Sequence, residues 1–186
     1  MKTVWTTPGG LVHAVALRKG ILGNIGKGWD MSCRSIDVVR ELLEGATDPE
    51  VVDRLMAEDA VYISLTWDNP ELKKLMPWAG THRNGREGIL STFRTLNTFW
   101  TIDDFDIRDI FGDDENVAVF GSFTVHSVNL DKVFVSPFAV HAKLKDGLVT
   151  YMLYMEDTLG TGSTFRKSGT WTFAGDPSGE MVTVGD

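Results

Sequence analysis

Phe134-Val-Ser-Pro-Phe-Ala-Val-His-Ala-Lys-Leu-Lys-Asp-Gly-Leu-Val-Thr-Tyr-Met-Leu-Tyr-Met-Glu-Asp-Thr158 reads as two strands and the turn between them. Phe134 to Lys145 and Leu148 to Thr158 are rich in apolar, β-branched and aromatic residues, and Asp146-Gly147 separates them. A two-residue hairpin turn wants positive φ at both central positions, which aspartate tolerates and glycine adopts freely. The pair before it has the same form: Phe105 to Phe111 turns through Gly112-Asp-Asp-Glu-Asn116 into Val117 to Val128. Four consecutive strands therefore predict an antiparallel meander filling the second half of the chain.

Upstream the period changes from two to 3.6. Ser32 or Ser35 can cap a helix that puts Ile36, Val39, Leu42 and Leu43 on one face and ends at Gly45. Asp48-Pro49 has the order of a capping acid and a first-turn proline, opening a short helix through Val51, Val52, Leu55 and Met56. Ala60 to Trp67 reads as a strand, and the polar stretch Asp68 to Pro77 holds about one helical turn. Asn84-Gly-Arg-Glu87 predicts a capping box opening a third helix, with Ile89, Phe93, Leu96 and Trp100 on its apolar stripe. Helices, a strand, a helix and then a meander pack most economically as an α+β domain, a curved sheet wrapping helices on one side.

The chain has 186 residues, 42 % of them hydrophobic and 24 % charged, enough for one domain with a substantial core. Its net charge of −8 opposes a nucleic-acid partner, since a polyanion is bound by a basic face. No apolar run reaches the roughly 18 residues of a membrane span. A lone cysteine, Cys33, forms neither an internal disulfide nor a cysteine-based zinc site, and no pair among the four histidines has metal-ligand spacing. Residues 1–30 differ from the rest: they are glycine-rich and net basic, and lack the pattern of a signal peptide. They read as a leader or an upstream-start extension, with Met31 as an alternative first residue, or else as an ordered docking arm. Residues 31–166 form the expected domain. In 167–186, Trp171, Phe173, Met181, Val182 and Val184 can form a terminal hairpin.

With these elements in order, the chain resembles the NTF2-like superfamily, specifically its SnoaL-like and ketosteroid-isomerase-like branch. The resemblance is carried by Met56-Ala-Glu-Asp-Ala-Val-Tyr62, Gly80-Thr-His-Arg-Asn-Gly-Arg-Glu-Gly-Ile89, Asn116-Val-Ala-Val119 and Asp146 to Thr158, and it covers about Ser35 to Phe165. It implies a cone-shaped sheet open at one end around an apolar pocket, and a homodimer through the outer sheet face. Matched to the family's register, strand alternation sends Tyr62, Ser64 and Thr66 inward from the first strand. Phe123 follows from the second meander strand, with Val119, Gly121 and Val125. Phe138 and Val140 come from the third, with Ala142 and Leu144, and Met152, Tyr154 and Glu156 from the last. Trp78, Trp100 and Trp67 are candidates to close the helical side or mouth. His126, His141 and Phe120 face outward.

The same register places Ser64 where the isomerases keep their aspartate base and Val140 where they keep the acid of the oxyanion hole. A serine hydroxyl is not a base near neutral pH without a partner to activate it. The Asp-Arg-Asp arrangement of limonene-epoxide-hydrolase relatives also finds no match, with Tyr154 standing for an acid and Phe120 or Ser122 near the other positions. Glu156 is then the inward carboxylate, a candidate base if burial disfavours its charge, with Tyr154 and Tyr62 as hydrogen-bond donors. The competing reading puts Glu156 at the rim, solvated or paired with Arg166. His82 is a candidate proton shuttle, or else a surface residue on a short strand. Two functions stay open. One is a cofactor-independent acid–base enzyme of isomerase, cyclase or dehydratase type on an apolar substrate. The other is a non-catalytic module for hydrophobic-ligand binding or dimerisation. Both expect a small hydrophobic molecule as partner, no cofactor, no metal, no nucleic acid, no membrane and a cytoplasmic location.

Overall fold

The computed structural model describes residues 31–175 and 177–185, and their side chains from Arg34 onward. Residues 1–30 and the Cys33 side chain therefore lie outside the described part.

Helix α1 (Met31–Glu44) buries Val39, Leu42 and Leu43 and stops before Gly45, as its 3.6-residue period requires. It starts ahead of both candidate caps. Ser35 lies inside the helix, where its hydroxyl donates to the Asp114 carbonyl at 2.8 Å. Helix α2 (Pro49–Leu55) is capped as expected: the Asp48 carboxylate accepts the Glu50 N–H at 2.9 Å. Strand β1 (Met56–Ser64) begins four residues earlier than its β-branched run suggests, so Met56 belongs to the strand rather than to the helix. A short helix α3 (Pro70–Leu75) and strand β2 (Gly80–His82) lead to α4 (Gly85–Phe99). The expected capping box is not formed there. Asn84 makes no side-chain cap bond, and Glu87 pairs with Arg94 at 3.2 Å instead.

The meander comprises β3 (Trp100–Gly112), β4 (Asn116–Ser127), β5 (Val133–Lys145) and β6 (Leu148–Glu156). Asp146 at φ 53° and Gly147 at φ 79° make the turn that joins β5 to β6. Strand β3 is five residues longer at its start than its apolar core, because Trp100, Thr101 and Ile102 already pair with Ser127, His126 and Val125. Two register shifts, between Ile102 and Asp104 and between Ile107 and Asp109, break its alternation and bend it.

The six strands form one sheet in the order β2-β1-β6-β5-β4-β3, with β1 parallel to β6 and the other neighbours antiparallel. Helices α1, α2 and α4 lie against its concave side, the cone-like α+β arrangement of NTF2-like folds. The expected inward residues Val119, Phe123, Val125, Phe138, Val140, Ala142 and Leu144 are all buried. After β6 a one-and-a-half-turn helix α5 (Thr158–Ser163) packs against β5. Asp157 caps it by accepting the Gly160 N–H at 2.9 Å. Strands β7 (Trp171–Phe173) and β8 (Val182–Val184) pair antiparallel as a separate two-stranded sheet.

Candidate functional site

A cavity of about 540 Å³ opens between the concave face of the sheet and helices α1 and α4. Strand β1 contributes Tyr62 and Ser64, β6 contributes Tyr154 and Glu156, and β4 contributes Phe123. The bent start of β3 adds Trp100, Ile102 and Phe105; Trp78 closes the same side, packed edge-on against Trp100 at 5.1 Å. Across from the sheet stand Phe93, Leu96 and Asn97 of α4, and Leu43 and Glu44 of α1. The helical stripe containing Phe93 and Leu96 was legible as a core face. That it also borders the cavity is decided by the tertiary packing.

An aromatic stack supports the floor. The Phe138 ring lies between Phe105 (4.8 Å, 15°) and Tyr154 (5.5 Å, 9°). Gly121 makes room for it, since a Cβ there would meet the Phe138 ring at 2.5 Å and the Asp106 carbonyl at 2.1 Å. Phe138 is thus part of the support rather than of the cavity surface, which corrects its expected ligand contact. Val140 and Met152 are likewise buried core residues that do not line the cavity.

Thr66 is displaced for a backbone reason. Leu65 adopts φ 66°, which breaks strand alternation, so Leu65 lines the cavity and Thr66 does not. Trp67 is 68 % exposed and closes nothing. His82 is also outside the cavity lining. Its Nε2 lies 3.0 Å from the Trp78 carbonyl and its ring stacks on Tyr62 at 5.8 Å, so it braces an aromatic wall from behind.

Glu156 is the carboxylate of the floor. In the parallel register Ser64 stands beside Tyr154, and Glu156 lies two residues further along the same face of β6. The Thr161 hydroxyl donates to its Oε1 at 2.9 Å. No ion pair to it is present among the described residues, and the Arg166 pairing is not formed. Burial pushes the Glu156 carboxyl up to about 7, a rise that the Thr161 hydrogen bond opposes and the Asp157 charge reinforces. Burial also holds the Tyr154 and Tyr62 phenols above their ordinary range, with the Glu156 charge adding to both, so they remain neutral donors. A carboxyl that shares its two forms near neutrality, beside neutral hydroxyls and aromatic walls, is equipped to take and return a proton. Among the described residues no group of three or more metal-ligating side chains occurs. On the outer side of the sheet, His126 contacts Asp131 and lies 3.7 Å from Asp103, away from this site.

The order of strands and the cone around this cavity are those of NTF2-like proteins. An NTF2-like protein from Burkholderia thailandensis superposes with a TM-score of 0.60 at 18 % identity, over 71 % of this chain and 97 % of its own. The sequence profile of the SnoaL-like domain matches residues 39–152, and the chain belongs to that family. It is also 38 % identical, over 149 residues, to patulin synthesis protein F of Aspergillus clavatus and to patulin biosynthesis cluster protein F of Penicillium expansum. Each match covers 77 % of this chain and 75 % of the relative.

Proposed function

We propose that this protein catalyses a cofactor-independent proton transfer on an uncharged, largely apolar carbonyl compound, as an isomerase-, cyclase- or dehydratase-type step of small-molecule biosynthesis. The observation that carries this reading is the placement of Glu156: a carboxyl in the lining of an aromatic cavity, held by the Thr161 hydroxyl and without an ion pair among the described residues, where burial pushes it up to about 7. Its ionised form removes a proton from carbon next to the substrate carbonyl. The electron pair of the broken C–H bond moves onto the carbonyl oxygen, which accepts hydrogen bonds from Tyr154, Tyr62 or Ser64. The protonated Glu156 then returns the proton at a second carbon, so an isomerisation needs no other reactant. In this reading Glu156, on the strand beside Ser64, supplies the base that the serine cannot. The kinship with two proteins named for patulin synthesis supports a biosynthetic role.

The absence of a carboxylate at Ser64 and Val140 also favours a second reading, a non-catalytic binder of hydrophobic molecules. Deuterium exchange separates the two. A panel of cyclic enones and lactones, incubated with the protein in heavy water, is followed by NMR for label at the carbon next to the carbonyl. The enzyme reading expects labelling that Glu156→Gln slows by roughly 10²-fold while ligand affinity changes little. Binding without labelling, or labelling that survives the substitution, rejects Glu156 as the base.

We read the outer sheet face as a homodimer surface. Phe120, Val135 and Met155 are 45, 59 and 50 % exposed there, and Phe111 stacks on Phe120 at 5.9 Å, an apolar patch of the kind that marks an interface.

A further inference from the structure

Helix α5 turns its buried side toward Glu156, and nothing in the proposed reaction uses it. Thr161 and Thr164 are 0 and 1 % exposed, although both carry hydroxyls. The Thr161 Oγ1 lies 2.9 Å from Glu156 Oε1 and 3.0 Å from the Asp157 carbonyl oxygen. A hydroxyl has one proton to donate and lone pairs to accept. With Glu156 ionised, Thr161 donates to the carboxylate. The Asp157 carbonyl stays satisfied, because it also accepts the Thr161 N–H at 2.9 Å. With Glu156 protonated, the carboxyl donates to Thr161 Oγ1 and the hydroxyl turns its own proton to Asp157. The same hydroxyl therefore serves both protonation states without moving the carboxyl.

The helix that carries this hydroxyl is anchored from three sides. Trp100 Nε1–H donates to Thr164 Oγ1 at 2.9 Å, and the Thr164 hydroxyl donates to the Thr161 carbonyl at 2.7 Å. The Asp157 N–H donates to Ser136 Oγ on β5 at 3.1 Å. Gly160 lets the Phe134 ring of β5 close on the helix, where a Cβ would come within 2.0 Å of it. A cavity wall, Trp100, is thus linked through two threonines to the carboxyl on the opposite strand.

We propose that Thr161 is the positioning residue of Glu156, holding its carboxyl in one place in both protonation states, with α5 as the bracket. The proposal rests on the reading of Glu156 as the working carboxyl, but its test does not need turnover. The charged group that acts on Glu156 is Asp157 at the start of α5; Tyr154 on its own strand and Tyr62 on β1 face it as neutral phenols, held up in part by its charge, while Phe138 stands opposite it on β5 and Glu44 of α1 lies across the cavity.

The experiment follows the Glu156 carboxyl carbon by ¹³C NMR in full-length protein across the pH range, its signal assigned by its loss in Glu156→Gln. The bond to the ionised carboxylate is the stronger of the two that Thr161 makes, so Thr161→Val, which removes it at nearly constant volume, is expected to raise the Glu156 midpoint by roughly one unit, while Thr161→Ser keeps it within about 0.3 of the original. An unchanged midpoint in Thr161→Val, or an equal rise in Thr161→Ser, overturns the proposal. If Thr161→Val does not fold, Thr161→Ala takes its place with the same two outcomes. Should the midpoints behave as expected while deuterium exchange ignores Glu156→Gln, the bracket stands and the catalytic reading fails.

Discussion

Glu156 links stability to pH as well as supplying the candidate base. Its carboxyl titrates near 4.5 when exposed and near 7 in the fold. Below both values it is neutral in either state and costs nothing. Between them the unfolded chain ionises first, so folding loses stability as pH rises, and the loss is complete above the folded value. Glu156→Gln cannot ionise and keeps the acceptor for Thr161. Thermal unfolding should therefore find it equal to the parent about a unit below pH 4.5 and more stable above about pH 7.5. The difference is at most about 3 kcal/mol, reduced to the extent that water reaches the carboxylate. A gain at both pH values would point to packing rather than charge. For activity the direction is opposite: the base form grows through pH 7, so turnover rises there while stability falls.

Among the elements, two helix starts that look alike in sequence differ in space. Asp48 and Asn84 both occupy N-cap positions, but only the Asp48 side chain accepts a backbone N–H. Asp48→Ala should cost about 1 kcal/mol in urea unfolding, and Asn84→Ala a few tenths at most. Equal costs would mean that the Asn84 side chain caps in solution. Strand β4 makes a sharper case. Gly121 faces the Phe138 ring and the Asp106 carbonyl at distances no Cβ tolerates, and neither neighbour is a flexible chain end. Gly121→Ala should destabilise by about 1–3 kcal/mol and, by pushing Phe138 against Tyr154, weaken ligand binding in the cavity. Both effects are read by thermal shift with and without ligand. The glycine was legible as an inward position; that it makes room for a cross-strand ring was not, because the ring comes from seventeen residues along the chain.

For the whole molecule, the proposed homodimer is tested at the apolar outer face centred on Phe120. Phe120→Glu together with Val135→Glu should convert a dimer to a monomer in sedimentation equilibrium without unfolding it, since both side chains are largely exposed in the single chain. A species that sediments as a monomer before substitution removes the dimer from the account. Among the described residues no helix is long and apolar enough to cross a membrane.

Local rules were enough for most of the architecture. The Asp146-Gly147 turn, the Asp48-Pro49 start and the 3.6-residue stripes of α1 and α4 are written in neighbouring residues and produce the expected elements, except that Trp100, the last position of the expected α4 stripe, opens β3 instead. Alternation, in the register that the family resemblance supplied, assigned Tyr62, Ser64, Phe123, Tyr154 and Glu156 to the concave face. It failed at Leu65, whose left-handed φ turns Thr66 away, and it made no assignment for β3, whose register shifts interrupt the period and whose Ile102 and Phe105 line the cavity. It also could not separate wall from core, so Phe138, Val140 and Met152 were placed on the correct face but at the wrong depth. Depth, the hydroxyl of Thr161 beside Glu156 and the resulting shift of that carboxyl depend on segments meeting across the fold. Periodicity reports which way a side chain points, and only the packed chain determines what stands in front of it.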